Sequence, residues 1–141
     1  MIERIVYVSK ANENLAPSDI FAIIRTAHNR NSTFCLSGAL LLIDGYFLQV
    51  LEGEGFRLRE RFQVIEQDTR HTDVLLREHR VVSDRLFPDD WMALRQGQEV
   101  LDLVTQLPRY APGFPPSHFS AESLLDIAKM CHARVTQQRL A

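Results

Sequence analysis

Gln49 stands where a polar side chain needs a chemical reason. It lies in Tyr46-Phe47-Leu48-Gln49-Val50-Leu51-Glu52, a mostly apolar run that follows the apolar segment Leu36 to Ile43. With Asp44-Gly45 as a two-residue turn, the two runs make a β-hairpin in which Ile43 pairs with Tyr46 and Leu40 with Gln49. Phe47, Gln49 and Leu51 then share a face with Gly38, Leu40 and Leu42, which puts a carboxamide inside an apolar surface. Left unpaired there, it would cost roughly 1–3 kcal/mol, so it calls for a partner. An amide carries both a donor and an acceptor end and can exchange one for the other, which neither Glu nor Leu could do at that position. Arg57, Arg59 and Arg61 are the local basic cluster, interleaved with Glu54 and Glu60. They suit a solvated helix face or one small anionic ligand. Cys35 and Cys131 lie far apart without a CxxC spacing, and read as two reduced thiols rather than a disulfide or zinc site.

Several elements must position these groups. Ile2 to Ser9 alternates and is rich in β-branched residues, as a first strand does, with Ile5, Tyr7 and Ser9 on one face and Val6 and Val8 on the other. A helix opens at Leu15-Ala16-Pro17-Ser18-Asp19-Ile20: Pro17 suits the first helical position, Asp19 the positive helix start, and Leu15 can staple onto Ile20. Ile20, Ile23, Ile24 and Ala27 give it a buried stripe, and it is expected to run out near the polar cluster His28-Asn29-Arg30-Asn31. A second helix is expected from Glu54 or Gly55 to Asp68, with Leu58, Phe62 and Ile65 inward. Val74 to Glu78 and Val81 to Phe87 read as strands, and Trp91 to Leu94 as a short last one. The order is βαββαββ, an α+β, ferredoxin-like mixed sheet with two helices on one face. Beyond Gly97 come a short helix from Val100 to Leu107, a connector from Pro108 to Pro116 rich in Pro and Gly, and a helix capped by Ser120. That helix carries a stripe of Leu124, Ala128, Cys131 and Val135, for which the back of the sheet is the open place. The expected division is therefore a domain over 1–97 and a helical extension over 98–141 packed behind it.

Composition bounds the function. A chain of 141 residues with 45% hydrophobic and 24% charged residues makes one ordinary globular core. The net charge of −2 argues against a nucleic-acid partner. The longest apolar run, Ala39 to Ile43, suits a strand rather than a membrane span, and Met1-Ile2-Glu3-Arg4 has no export leader. A cytoplasmic protein without a membrane partner is the expectation.

Taken together, several segments resemble the BLUF family of blue-light sensors that bind a flavin. They are Ile5-Val6-Tyr7-Val8-Ser9, Asn31 ahead of Leu36-Ser37-Gly38-Ala39-Leu40, Asp44-Gly45-Tyr46-Phe47-Leu48-Gln49-Val50-Leu51-Glu52-Gly53, Asp68-Thr69-Arg70-His71, and Arg85-Leu86-Phe87 followed by Trp91-Met92. The resemblance implies FAD, with FMN as the alternative, held between the two helices with its ring toward the sheet. It assigns photochemistry to Tyr7 and Gln49, and cofactor binding to these two with Ser9, Ile24, Arg30, Asn31, Asp68, Arg70 and His71. Light would draw an electron and a proton from Tyr7, and Gln49 would rearrange its amide. The signal would leave through Trp91 and Met92 and the tail helices to an unidentified downstream protein effector. A homo-oligomer is also implied.

Two positions depart from the family pattern. Many relatives have W-x-M, whereas here Trp91 directly precedes Met92. In a strand the two must point to opposite faces, and Met92, which keeps its spacing from Phe87, is the better neighbour for Gln49. Val64 stands where relatives often carry a basic residue, a place Arg61 and Arg57 can fill from the same helix face.

Taken singly, Tyr7 reads as a strand aromatic, Gln49 as a structural hydrogen bonder and Asn31 as a helix end; only the joint pattern makes them functional. Two other classes compete. The loop Val50 to Arg57 superficially resembles the anion cradle of acylphosphatases, but it precedes the second helix, and no asparagine lies downstream of Asn31. A light-blind interaction module is opposed by the presence of Tyr7 and Gln49. The residues beyond Gly97 are too few for a cyclase or phosphodiesterase domain, so no catalytic function of the chain's own is expected.

Overall fold

The computed structural model describes residues 1–108, 110–113 and 116–135, apart from the side chains of Phe21, Ala93 and Ser117. Its elements are β1 (Ile2–Ala11), α1 (Pro17–Thr33), β2 (Ser37–Ile43), β3 (Tyr46–Glu54), α2 (Gly55–Glu66), β4 (His71–Val82), β5 (Trp91–Arg95), α3 (Gln98–Val104) and α4 (Ala121–Arg134). The strands form one sheet in the order β4-β1-β3-β2-β5. All pairs are antiparallel except β2 with β5. This is the expected ferredoxin-like βαββαββ order, with one strand in place of the two segments expected between Val74 and Phe87.

The hairpin register is the one its turn dictates, with Ile43 opposite Tyr46 and Leu40 opposite Gln49. On the other side of β3, Gln49 faces Tyr7 of β1. Alternation along β1 sends Ile5 and Tyr7 into the core beneath α1 and α2, with Leu40, Phe47, Leu51, Leu58, Phe62 and Ile65. Val6 and Val8 go to the opposite face, where Leu41, Leu48 and Val50 meet Val100 and Val104 of α3 and Leu124, Ile127, Ala128 and Cys131 of α4. Each fully buried aliphatic side chain there contributes about 1.5–3 kcal/mol.

Helix starts follow local chemistry. Asp19 Oδ2 accepts the N–H of Ala16 at 2.9 Å, Glu54 accepts those of Phe56 and Arg57 at 2.9 and 3.2 Å, and Ser120 Oγ accepts that of Ser123 at 3.1 Å. The ends differ more from the sequence reading. Helix α1 does not stop at the polar cluster but continues to Thr33. The Ser32 and Thr33 hydroxyls bond back to the Asn29 carbonyl at 3.3 and 2.8 Å, and Asn31 is buried by tertiary packing. Helix α2 ends at Glu66 and α3 at Val104, each short of the expected limit.

The two strands expected between Val74 and Phe87 are also corrected. Strand β4 runs unbroken from His71 to Val82, because β1 supplies a ladder along this length, from Ala11 opposite His71 to Ile2 opposite Val82. Past that point β1 offers no further partner. Leu86 and Phe87 instead donate their N–H groups to the buried carboxylate of Glu52, which also accepts Nε of Arg4 at 2.8 Å. No helix among the described residues is long and apolar enough to cross a membrane.

Candidate functional site

A cleft opens on the face of the sheet that carries α1 and α2. Tyr7, Leu40, Phe47 and Gln49 form its floor. Ile23, Thr26 and Ala27 of α1 make one wall, Arg61 and Ile65 of α2 the other, and Asp68, Arg70 and His71 close one end.

The floor follows from alternation on two neighbouring strands. Tyr7 and Gln49 are direct partners across the ladder and both are buried. The Tyr7 hydroxyl donates to Oε1 of Gln49. Burial pushes the phenol pKa well above the ordinary tyrosine value, so the hydroxyl keeps its proton. With Oε1 accepting, the other end of the amide is the donor Nε2, which no described residue accepts. A ligand with an acceptor at its edge would complete the set.

Asn31, on the last turn of α1, is 1% exposed, and among the described residues neither its Nδ2 nor its Oδ1 has a hydrogen-bond partner. An orphaned carboxamide of this kind costs about 1–3 kcal/mol and is seldom kept. It would pair with a group offering a donor beside an acceptor, as the imide edge of a flavin ring does. Arg61 has a buried, unpaired Nε, and its pKa is lowered by burial and by the neighbouring charge of Arg30. Among the described residues the Arg61 charge forms no ion pair, although Asp68 lies near enough to act on it. The apolar side chains of Ile23, Ala27, Leu40, Phe47 and Ile65, the open end of the Gln49 amide and the Arg61 guanidinium together fit a flavin carrying a phosphate.

The end of the cleft is held by its own bonds. Asp68 accepts the backbone N–H of Arg70 at 2.9 Å and pairs with its guanidinium at 2.5 Å, which holds the carboxyl below the usual carboxylate range. His71 lies 2.7 Å from the Ile65 carbonyl through Nε2 and 2.7 Å from Ser9 Oγ through Nδ1. Because a carbonyl only accepts, Nε2 carries the proton, and a neutral ring then accepts the serine hydroxyl at Nδ1.

Of the residues expected at the site, Tyr7, Gln49, Asp68, Arg70 and His71 line one cleft, whereas Asn31 is not among its lining residues. Ser9 stands behind His71. Ile24 is buried in the core beside the cleft, while its neighbour Ile23 lines it. Arg30 is exposed, and its charge reaches Arg61. Met92 is fully buried in the same core as Tyr7 and Leu40. Trp91 is half-buried and belongs to neither core cluster. Ile23 and Thr26 were not singled out from the sequence as ligand contacts, although Ile23, Thr26, Ala27 and Arg30 share one helical face; Arg61 was noted as part of the basic cluster and as a substitute for Val64.

The family model described as "BLUF: Sensors of blue-light using FAD" matches residues 2–93. Photoactivated adenylate cyclase subunit beta of Euglena longa is 33% identical over 110 residues, 73% of this chain and 13% of that protein. The chain thus spans a small part of the curated relatives it matches. Among solved structures, BlsA in its photo-activated state superposes with a TM-score of 0.85 at 22% identity, over 99% of this chain and 100% of that one. Klebsiella pneumoniae BlrP1, solved with FMN and cyclic diGMP, matches with a TM-score of 0.64 at 29% identity, over 68% of this chain and 26% of that chain. With the family matched across both strands and both helices that build the cleft, the chain belongs to the BLUF family of blue-light sensors.

Proposed function

We propose that this protein senses blue light through a non-covalently bound flavin, using Tyr7 as electron and proton donor and Gln49 as the switch. The observation that carries this reading is the buried Tyr7–Gln49 hydrogen bond, with the opposite end of the amide open to the cleft. A bound flavin supplies, on absorbing blue light, an oxidant strong enough to draw an electron from a neighbouring phenol. Tyr7 then gives up that electron together with its hydroxyl proton, which its raised pKa keeps in place beforehand. Gln49 rearranges its amide while the proton is away. The electron and proton return to Tyr7, so no substrate is consumed, and the altered hydrogen bonds persist.

Asn31 would hold the ring edge, and Arg61 with Arg30 the phosphate side. Ser9 would act by fixing His71, while Ile24, Asp68 and Arg70 would shape the cleft. The family description favours FAD. One relative is known with FMN, and the arginines suit the phosphate of either. Residues 1–97 would form the sensor and 98–141 the extension, with Trp91 and Met92 relaying the change to α3 and α4. Output then passes to a separate protein effector rather than through catalysis by this chain. Cyclase activity is named for the Euglena longa relative, of which this chain covers 13%. The free thiols Cys35 and Cys131 suit the cytoplasm, and exposed Leu75, Leu76 and Val81 on edge strand β4 offer a surface for a homo-oligomer.

The test is the absorption change of flavin-loaded Tyr7→Phe and Gln49→Leu, with chromatography of the released chromophore. Both variants should bind flavin and lose the light-induced shift. A wild-type response in either would remove that residue from the switch.

A further inference from the structure

Asp90 immediately precedes β5 and is buried, and its carboxylate is divided between two parts of the molecule. Oδ1 accepts the backbone N–H of Met92 at 2.9 Å. Oδ2 accepts Nη1 of Arg95 at 3.0 Å and lies 3.1 Å from Nε2 of His132 on α4. The Asp90 carbonyl accepts the N–H of Gly38 in β2 at 3.0 Å. One residue thus joins two strands on the pocket side to the tail helix behind the sheet.

Each end of this link is poised. Met92 has φ 82°, a left-handed conformation that residues with side chains seldom keep without help. The bond from Oδ1 to its N–H helps to hold it there, while its side chain is packed in the core shared with Tyr7 and Leu40. At the other end, His132 Nε2 is buried and, among the described residues, meets the hydrogen-bond geometry of no partner. Its distance from Oδ2 is short enough for an ion pair, but the angle is too poor for a hydrogen bond. The ring rests against Phe87, with centroids 4.8 Å apart.

Resting on the photoreceptor reading above, we infer that Asp90 is the positioning residue that couples the pocket to the tail. Movement of the Met92 backbone turns the Asp90 carboxylate, changes its alignment with His132, and so shifts α4. Asp90 does not line the cleft; it acts through Met92 on one side and His132 on the other.

The experiment uses the full, flavin-loaded chain and compares light-minus-dark spectra with hydrogen exchange of the α4 amides in dark and light. Asp90→Asn keeps an acceptor for Met92 but removes the charge facing Arg95 and His132. His132→Phe keeps a ring against Phe87 and removes Nε2. Both variants are expected to retain the parent's spectral shift and to lose most of the light-induced change in α4 exchange, at least threefold. The double variant should lose no more than Asp90→Asn alone. His132→Phe should leave dark exchange near the parent's, which a merely structural role would not. An intact light-induced change in both variants, or none in a parent that shifts normally, overturns the Asp90 route alone. A flavin-loaded parent without any spectral shift overturns the photoreceptor reading and this coupling with it.

Discussion

The phenol of Tyr7 and the carboxamide of Asn31 are both buried, but burial acts on them in opposite ways. Tyr7 has a partner, and burial raises its pKa, so its proton is retained into the alkaline range. The light-induced shift should therefore survive at about pH 10, where an exposed tyrosine is half-ionised. Spectra taken at neutral and alkaline pH check this, and a response lost with an ordinary tyrosine titration would contradict it. Asn31 has no partner at either polar atom among the described residues. Asn31→Leu should remove that desolvation cost and stabilise the flavin-free protein by about 1–3 kcal/mol. The same change should weaken flavin binding about tenfold or more. Melting of the apoprotein and a flavin titration read the two effects separately, and a destabilised apoprotein with unchanged affinity would show that Asn31 serves the fold instead.

At the scale of elements, β2 and β3 depend on Gly38. A Cβ there would come within 1.8 Å of the Val50 carbonyl oxygen and 2.9 Å of Met92 Cε. Gly38→Ala must move backbone on the central strand, and should cost at least about 1–3 kcal/mol in urea unfolding. An unchanged midpoint would contradict the close approach. The hairpin was legible in the sequence because Asp44-Gly45 sets the register and alternation sets the faces, which is also why Gln49 and Tyr7 could be placed on one floor. The end of α1 was not legible. Asn, Ser and Thr weaken helices locally, and only burial of Asn31 and bonds back to Asn29 carry the helix on. The segment after β4 was equally hidden, since its N–H groups bind Glu52, an acid distant in sequence. Arg61, Ile23 and Thr26 escaped emphasis because the cleft lies beside the most apolar helix stripes, where residue type alone does not separate a wall from a solvated face.

For the molecule as a whole, the sheet is covered on both faces, and the rear cover is the tail. Its state can be read at Cys131, which is buried against the sheet and whose thiol burial pushes up to about 11, while Cys35 is exposed. A chromogenic disulfide should modify Cys35 in the native protein and Cys131 only after unfolding; rapid reaction of both would mean that the tail opens readily. The folded state keeps the Cys131 proton where the unfolded chain has lost it. This contribution is therefore complete below about pH 9 and is lost as pH rises toward 11. Alkaline unfolding that is no steeper in the parent than in Cys131→Ala would contradict it. These are properties of the scaffold; the function rests on the cleft. Its most direct test is the absorption spectrum of the purified, flavin-loaded protein before and just after blue light. A small red shift that reverses in the dark is the expected result, and a flavin spectrum unmoved by light would contradict the account.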